Sequence, residues 1–321
     1  MEEVPKTPQL TVSNMGARSV ISTFMDRPLT GNYQGNLADV CPVGALTLKP
    51  FRFQARVWNL TKNLSTCAEC TRGCSISVET LRGGEIKRFR PRPNEDVNGY
   101  WMCDTGRFAF DHVNADERLT APIAQGFSGL DELSLTAALA ATAERLRAST
   151  TTFLVASPFL TQEEAGEVLA IAAELGCEAT FVSPEPNDLA DDLLHTGDPC
   201  PNRRGLTELG FAPLKPAELA ERADGADRLL LIGERIGELT ADALADVSTR
   251  RIVVDAFPQD HAAIEVALPC PLHVEKAGHW INVDGHRGRL TIARQAPRGV
   301  PALERMLADL ATLLKPTEVA G

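Results

Sequence analysis

The run Cys67-Ala68-Glu69-Cys70-Thr71-Arg72-Gly73-Cys74, followed 29 residues later by Cys103, decides how this chain is read. A four-iron, four-sulfur cube needs one thiolate on each iron. Three closely spaced cysteines in a loop can reach three corners, and the fourth corner must be served from a distance. Ala68, Gly73 and Gly106 are small enough to let backbone N–H groups approach the sulfurs. Structural zinc also takes four cysteines, but usually as two Cys-x2-Cys knuckles. Here the second half is a single cysteine, which disfavours a zinc ribbon. Unliganded thiols are the third reading. The candidate ligands are therefore Cys67, Cys70, Cys74 and Cys103.

Outward from this run, Ser75-Ile76-Ser77-Val78-Glu79 alternates as a half-buried strand does. Gly83-Gly84 supplies a turn, and Ile86-Lys87-Arg88-Phe89 starts the return strand, so residues 61–112 are expected to form a small cysteine-rich hairpin unit. The basic run Arg82, Lys87, Arg88, Arg90 and Arg92 is either a solvated strand face or compensation for an anionic cluster nearby. Upstream, residues 1–60 read as an irregular, turn-rich leader whose one apolar run is Val20–Phe24.

From about 130 onward helical and strand patterns alternate. Apolar residues recur at helical spacing over 131–147, 162–175, 216–223, 239–246 and 301–314. Between them, Thr152–Ala156, Ala179–Val182, Leu229–Ile232 and Ile252–Val254 suit strands buried on both faces. This order predicts an α/β domain with a mostly parallel sheet over 125–321. The segments 196–210 and 276–289 read as loops. Glu163-Glu164 and Asp191-Asp192 suit helix starts.

Bulk properties narrow the function classes. The net charge of −11 argues against nucleic acid as a partner. No stretch approaches the roughly 18 apolar residues of a membrane span, so no direct insertion is expected. Five of the eight cysteines fall at or before position 103, a clustering that points to metal rather than disulfides. Cys177, Cys200 and Cys270 read as buried or incidental thiols. No catalytic residue is assigned: nucleophile elbow, P-loop and complete dinucleotide fingerprint are missing. Gly233-Glu234-Arg235-Ile236-Gly237 is either a weak phosphate loop or an ordinary strand-to-helix turn. His112, His195, His261, His273, His279 and His286 are dispersed, and His279 and His286 read as surface or loop residues.

The residues now carry a resemblance. Gly35-Asn36-Leu37-Ala38-Asp39-Val40-Cys41-Pro42-Val43-Gly44-Ala45-Leu46-Thr47 and the following Lys49–Trp58 resemble the large iron–sulfur subunit of NADH-quinone oxidoreductase (respiratory complex I). The four-cysteine set is similar to the site that opens that family's molybdopterin-oxidoreductase-like region. Pro201–Leu206 and Glu275–Gly285 look like weaker family blocks. The resemblance implies one [4Fe-4S] cluster on Cys67, Cys70, Cys74 and Cys103 in residues 61–120. It implies electron transfer within an NADH:quinone oxidoreductase, with the chain not catalytic alone and its cluster off the main electron route. Partner subunits of the peripheral arm would place it at the cytoplasmic face of the inner membrane.

Two departures shape the expectation. Residues 1–60 resemble only the end of the family's ferredoxin-like region. The front end with its own two-iron and four-iron clusters, and the three upstream cysteines that would join Cys41, are missing, so Met1 is expected to be internal to a longer protein or the product of a split gene. Cys41, which matches a ligand of another family cluster, has no visible partners. The α/β part is also short, so a reduced scaffold without molybdopterin is expected. A fragment of a molybdenum-dependent formate or nitrate oxidoreductase and a structural zinc module remain the alternatives.

Overall fold

A computed structural model of the chain describes residues 1, 3–126, 130–259 and 261–316. Its larger part is an eight-stranded sheet. In spatial order the strands are Ala212–Leu214, Ala179–Val182, Thr152–Ala156, Arg228–Ile232, Arg250–Asp255, Ile264–Pro269, Ile123–Gln125 and Leu130–Glu132. The first six run parallel, and the last two pairings are antiparallel. Alternation along each central strand separates two cores. Leu154, Leu230, Ile232, Ile252 and Val254 face one, and Val155, Leu229, Leu231 and Val253 face the other. Helices Leu135–Arg147, Gln162–Leu175 and Leu303–Leu314 cover the first face, and Pro216–Asp224 and Ile236–Leu244 the second. This is the mostly parallel α/β architecture expected from the βα alternation.

Local chemistry sets the helix ends. Thr161 and Glu164 form a reciprocal capping box at the start of Gln162–Leu175, and Gly176 closes that helix in the left-handed conformation. The expected helix 131–147 begins instead at Leu135, because Leu130–Glu132 pairs as an edge strand. The strand Ile264–Pro269, central in the sheet, is an addition to the expected set. Parts of the two segments read as loops are regular: Arg203–Leu209 is helical, and Gly278–Ile281 pairs with Arg287–Leu290. Asp191-Asp192 does not start a helix. Asp191 instead accepts N–H groups from Leu193, Leu194 and His195 and the Tyr33 hydroxyl, closing a turn.

The cysteine-rich part is a three-stranded antiparallel sheet, Leu60–Thr66, Ser75–Leu81 and Ile86–Pro91. The expected hairpin gains Leu60–Thr66 as a third strand, and Cys67–Cys74 is the connection between the first two. In the leader, Leu10–Ser13 pairs with Val20–Thr23, and Gly35–Val40 forms a short helix.

The parallel strands Thr152–Ala156 and Arg228–Ile232 are neighbours whose chains leave toward opposite faces. Their carboxyl ends form the switch point where open α/β sheets usually carry ligands. Glu275 anchors the loop that closes over this edge. Its carboxylate, with 0% of the side chain exposed, receives Arg118 at 2.9 Å and Arg294 at 2.7 Å. It also accepts the Leu272 N–H at 3.0 Å. Removing one member of a buried ion network strands the others, at about 3–5 kcal/mol. Glu275→Ala is therefore expected to lower the unfolding free energy by that amount in denaturant titrations, and Glu275→Gln by less.

Candidate functional site

The loop Cys67–Cys74 is fixed from both ends and from outside. Cys67 N–H donates to Cys74 O at 2.8 Å, and Gly73 N–H to Cys70 O at 3.2 Å. Thr71 N–H donates to Asp198 O at 3.0 Å, and Val283 N–H to Thr71 O at 2.9 Å. Asn282 Nδ2 donates to Arg72 O at 3.1 Å, while Arg72 reaches Leu194 O and Asp284. The segment expected to be a loop, 276–289, is thus a hairpin that grips the cysteine loop. Asn202 ties that hairpin to the sheet edge: it accepts Ile281 N–H at 2.9 Å and donates to Leu160 O at 2.8 Å.

Cys103 arrives differently. It caps the helix Asp104–Phe108, its sulfur accepting Gly106 N–H at 3.4 Å. The leader holds this helix in place. Asp104 accepts Gln34 and Gly35 N–H groups at 2.7 and 2.9 Å. Asn36 exchanges hydrogen bonds with Met102, and Asp39 pairs with the buried Arg107 at 2.7 Å. This supporting role of residues 32–39 has no counterpart in their uneven apolar spacing.

All four cysteines are buried, at 4–6% exposure, and they share one environment. Burial pushes the Cys67 thiol well above its ordinary pKa, and Cys74, Cys103 and Cys70 add like-charge repulsion. Cys74 is raised by burial and then by Cys70 and Cys103. Burial pushes Cys103 up to about 12, against the Gly106 N–H. Four thiolates cannot share this site unless cations neutralise them.

A Cβ on Gly106 would lie 2.7 Å from Cys67 Sγ and 3.7 Å from Cys103 Sγ, so those sulfurs are no farther apart than the two lengths end to end. Yet no three of the cysteine sulfurs lie within 4.8 Å of one another. Sulfurs on one tetrahedral zinc, bonded at about 2.3 Å, sit about 3.8 Å apart. Four buried cysteines form a donor set of the kind that thiolate-ligated metal groups take.

The remaining sequence candidates separate. Cys41 is only partly buried, and its sulfur accepts Leu46 N–H at 3.5 Å, which lowers its pKa. Cys200 and Cys270 are buried, and Cys177 is half-buried. Three of the five residues of the basic run make local ion pairs: Arg88 with Glu79, Arg90 with Asp39, Lys87 with Glu85. It is Arg72, outside that run, that lowers the pKa of Cys74 against its burial. The Gly233–Gly237 turn is no phosphate loop. The carboxylate of Asp255 already takes the N–H groups of Arg235 and Gly237, at 3.1 and 2.8 Å. His279, read as a loop residue, is half-buried and bonded to Glu163 at 2.7 Å. His112 and His273, far apart in sequence, converge on Glu234.

Gly106 has no room for a side chain. Gly106→Ala is expected to displace Cys67 Sγ and cost about 1–3 kcal/mol in thermal or denaturant unfolding. Gly84→Ala, whose Cβ would meet only Leu81 O at 3.7 Å, is expected to stay within about 0.5 kcal/mol of the unchanged chain.

Comparison with known proteins gives matches over the front of the chain. Residues 1–47 match the model of the NADH-quinone oxidoreductase subunit 3 ferredoxin-like domain, and residues 60–115 that of the molybdopterin oxidoreductase Fe4S4 domain. NADH-quinone oxidoreductase subunit 3 of Thermus thermophilus is 40% identical over 147 residues, which is 46% of this chain and 18% of that protein. The NADH-ubiquinone oxidoreductase 75 kDa subunit of Reclinomonas americana is 40% identical over 121 residues, 38% of this chain and 17% of its own. The mitochondrial NADH dehydrogenase (ubiquinone) iron-sulfur protein 1 of Solanum tuberosum is 38% identical over 127 residues, 40% and 17% respectively. The matched stretch is thus less than a fifth of the length of these relatives. The front of this chain is thus similar to subunits of NADH-quinone and NADH-ubiquinone oxidoreductases, with one stretch matching a ferredoxin-like domain model and the next a molybdopterin oxidoreductase Fe4S4 domain model.

Proposed function

We propose that the chain is an electron-transfer component of an NADH:quinone oxidoreductase, holding one [4Fe-4S] cluster on Cys67, Cys70, Cys74 and Cys103. The observation that carries this reading is the gathering of four buried thiols in one shared environment, the donor set that an iron–sulfur cube takes. When bound, the cluster supplies one-electron transfer. The chain's own residues hold and insulate it. Gly106 N–H donates to a ligand sulfur, and Arg72 offsets negative charge near Cys74. Ala68, Phe159, Trp280 and Leu290 pack an apolar wall behind the loop.

The same wall supports a reading without molybdopterin. Phe159 and Trp280, 2% and 1% exposed, occupy the switch-point edge with His273, with ring centroids 6.3–6.5 Å apart. The Trp280 indole N–H is bonded to Leu160 O at 3.0 Å. A pterin nucleotide there would have to displace packed, hydrogen-bonded side chains. In this reading, residues 61–120 are the cluster unit, 125–321 a reduced α/β scaffold, and 1–60 a docking segment.

Exposed apolar residues support that last assignment. Met15, Val43, Phe53 and Trp58 are 94, 82, 91 and 79% exposed, an arrangement suited to contact with other subunits of a peripheral arm. No helix among the described residues is long and apolar enough to cross a membrane, and attachment to the inner membrane through partners on its cytoplasmic side fits this reading.

Anaerobically purified chain is expected to contain about four irons and four sulfides, and to show a low-temperature EPR signal on reduction. Cys103→Ser should remove most of that iron. Stoichiometric zinc would contradict the assignment, and stoichiometric molybdenum or tungsten would point to the formate or nitrate class.

A further inference from the structure

Beside the cysteine loop lies a second group of ligand-type side chains that the electron-transfer reading leaves unused. His112 follows the helix that begins after Cys103, Glu234 follows the strand Arg228–Ile232, and His273 lies in the loop after Ile264–Pro269. Their possible ligand atoms all lie within 4.8 Å of one another, the only such set of three or more among the described residues. His273 Nδ1 is 2.8 Å from Glu234 Oε1, and His112 Nε2 is 4.0 Å from the same oxygen. The other carboxylate oxygen accepts the His273 N–H at 2.6 Å, which fixes the carboxylate plane.

One atom in this arrangement is unexplained. His112 Nε2 is buried and has no hydrogen-bond partner. The separation of 4.0 Å from Glu234 is too long for a hydrogen bond, and an orphaned buried polar atom costs about 1–3 kcal/mol. A simple buried His–Glu pair accounts for His273 and Glu234, but it leaves His112 without a reason to point inward.

We infer that His112, His273 and Glu234 form a second metal site, separate from the four cysteines and selective for a first-row divalent cation such as zinc. Two imidazoles and one carboxylate are borderline donors of the kind zinc takes, whereas calcium and magnesium prefer all-oxygen sets. Ligands about 2.0–2.2 Å from one tetrahedral ion are about 3.4 Å apart. The observed 2.8 and 4.0 Å lie on either side of that value. The ion takes the place of the proton now shared by His273 and Glu234, and a small movement of His112 completes the set.

Local charge agrees. Glu69 and Glu238 are the acidic neighbours of Glu234. The nearby cations Arg235 and Lys276 also act on Glu234, while their hydrogen bonds go to Glu238, at 2.7 Å to both oxygens, and to Glu164 at 2.8 Å. The His112 side chain is 27% exposed, so the group lies near the surface with Nε2 itself turned inward. Such an ion fastens the segment after the cluster-bearing helix to two loops of the sheet edge.

The test uses the full chain, purified anaerobically with its iron, cleared of loose metal and titrated with zinc against a chromophoric chelator. Iron and sulfide are measured on the same samples. One zinc per chain is expected, with nitrogen and oxygen but no sulfur in its X-ray absorption shell. His112→Ala and His112→Gln should each weaken zinc binding roughly tenfold or more with iron unchanged. Three results would overturn the inference: no zinc held at micromolar concentration, sulfur in the zinc shell, or His112 variants that bind zinc as the unchanged chain does. Iron lost together with zinc in both variants would also count against it, by making His112 a support of the fold. Sulfur in the zinc shell would implicate the cysteines, so failure here is distinguishable from failure of the cluster assignment.

Discussion

Four thiols can share an apolar interior only if their backbone is fixed from outside, because nothing in a bare cysteine loop opposes their mutual repulsion as thiolates. The loop Cys67–Cys74 has only two backbone hydrogen bonds of its own, Cys67 to Cys74 and Gly73 to Cys70. Its position comes from neighbours: Asp198, Thr196, Asn282 and Val283 on one side, and the strands on either end. Cys103 depends on the leader through Asp104, Asn36 and Arg107. The site is therefore a junction of three parts of the chain, and the cysteine motif is only its centre.

That junction explains why the α/β part is needed. Its switch point, a place where open sheets usually take a ligand, is closed by Phe159, Trp280 and the loop pinned by Glu275. Asp255 fills the helix N-terminus that an anion would use. The hairpin Gly278–Ile281 and Arg287–Leu290 turns this closed edge into a platform for the cysteine loop. The sheet edge thereby supports the cysteine loop.

Structure is most legible in the sequence where one physical requirement acts locally. The four ligand candidates follow from thiolate spacing alone, and Thr152–Ala156 and Ala179–Val182 from continuous apolar runs. Glu163-Glu164 opens a helix as its charge implies, with Glu164 completing the capping box. Legibility fails where partners lie far apart. Ile264–Pro269 ends in proline and is interrupted by Glu265, so its apolar run is short, although Arg228 pairs with that glutamate. The hairpin 278–290 is mostly Gly, His and other polar residues, because besides Trp280 and Leu290 in the core it meets Arg72 through Asp284, Glu163 through His279 and Arg204 through the Val283 carbonyl. His112, Glu234 and His273 are dispersed in sequence, and only the fold reveals them as a group. The glycine and asparagine pairs of the leader read as turns, although Asn36 bonds both Met102 and Arg107.

Iron K-edge X-ray absorption on the anaerobically purified chain tests the central claim most directly. The account predicts iron in a sulfur-only shell with strong iron–iron scattering, as a cube on four cysteines requires. A single metal with no metal–metal scattering, or iron bound through nitrogen and oxygen, would contradict it.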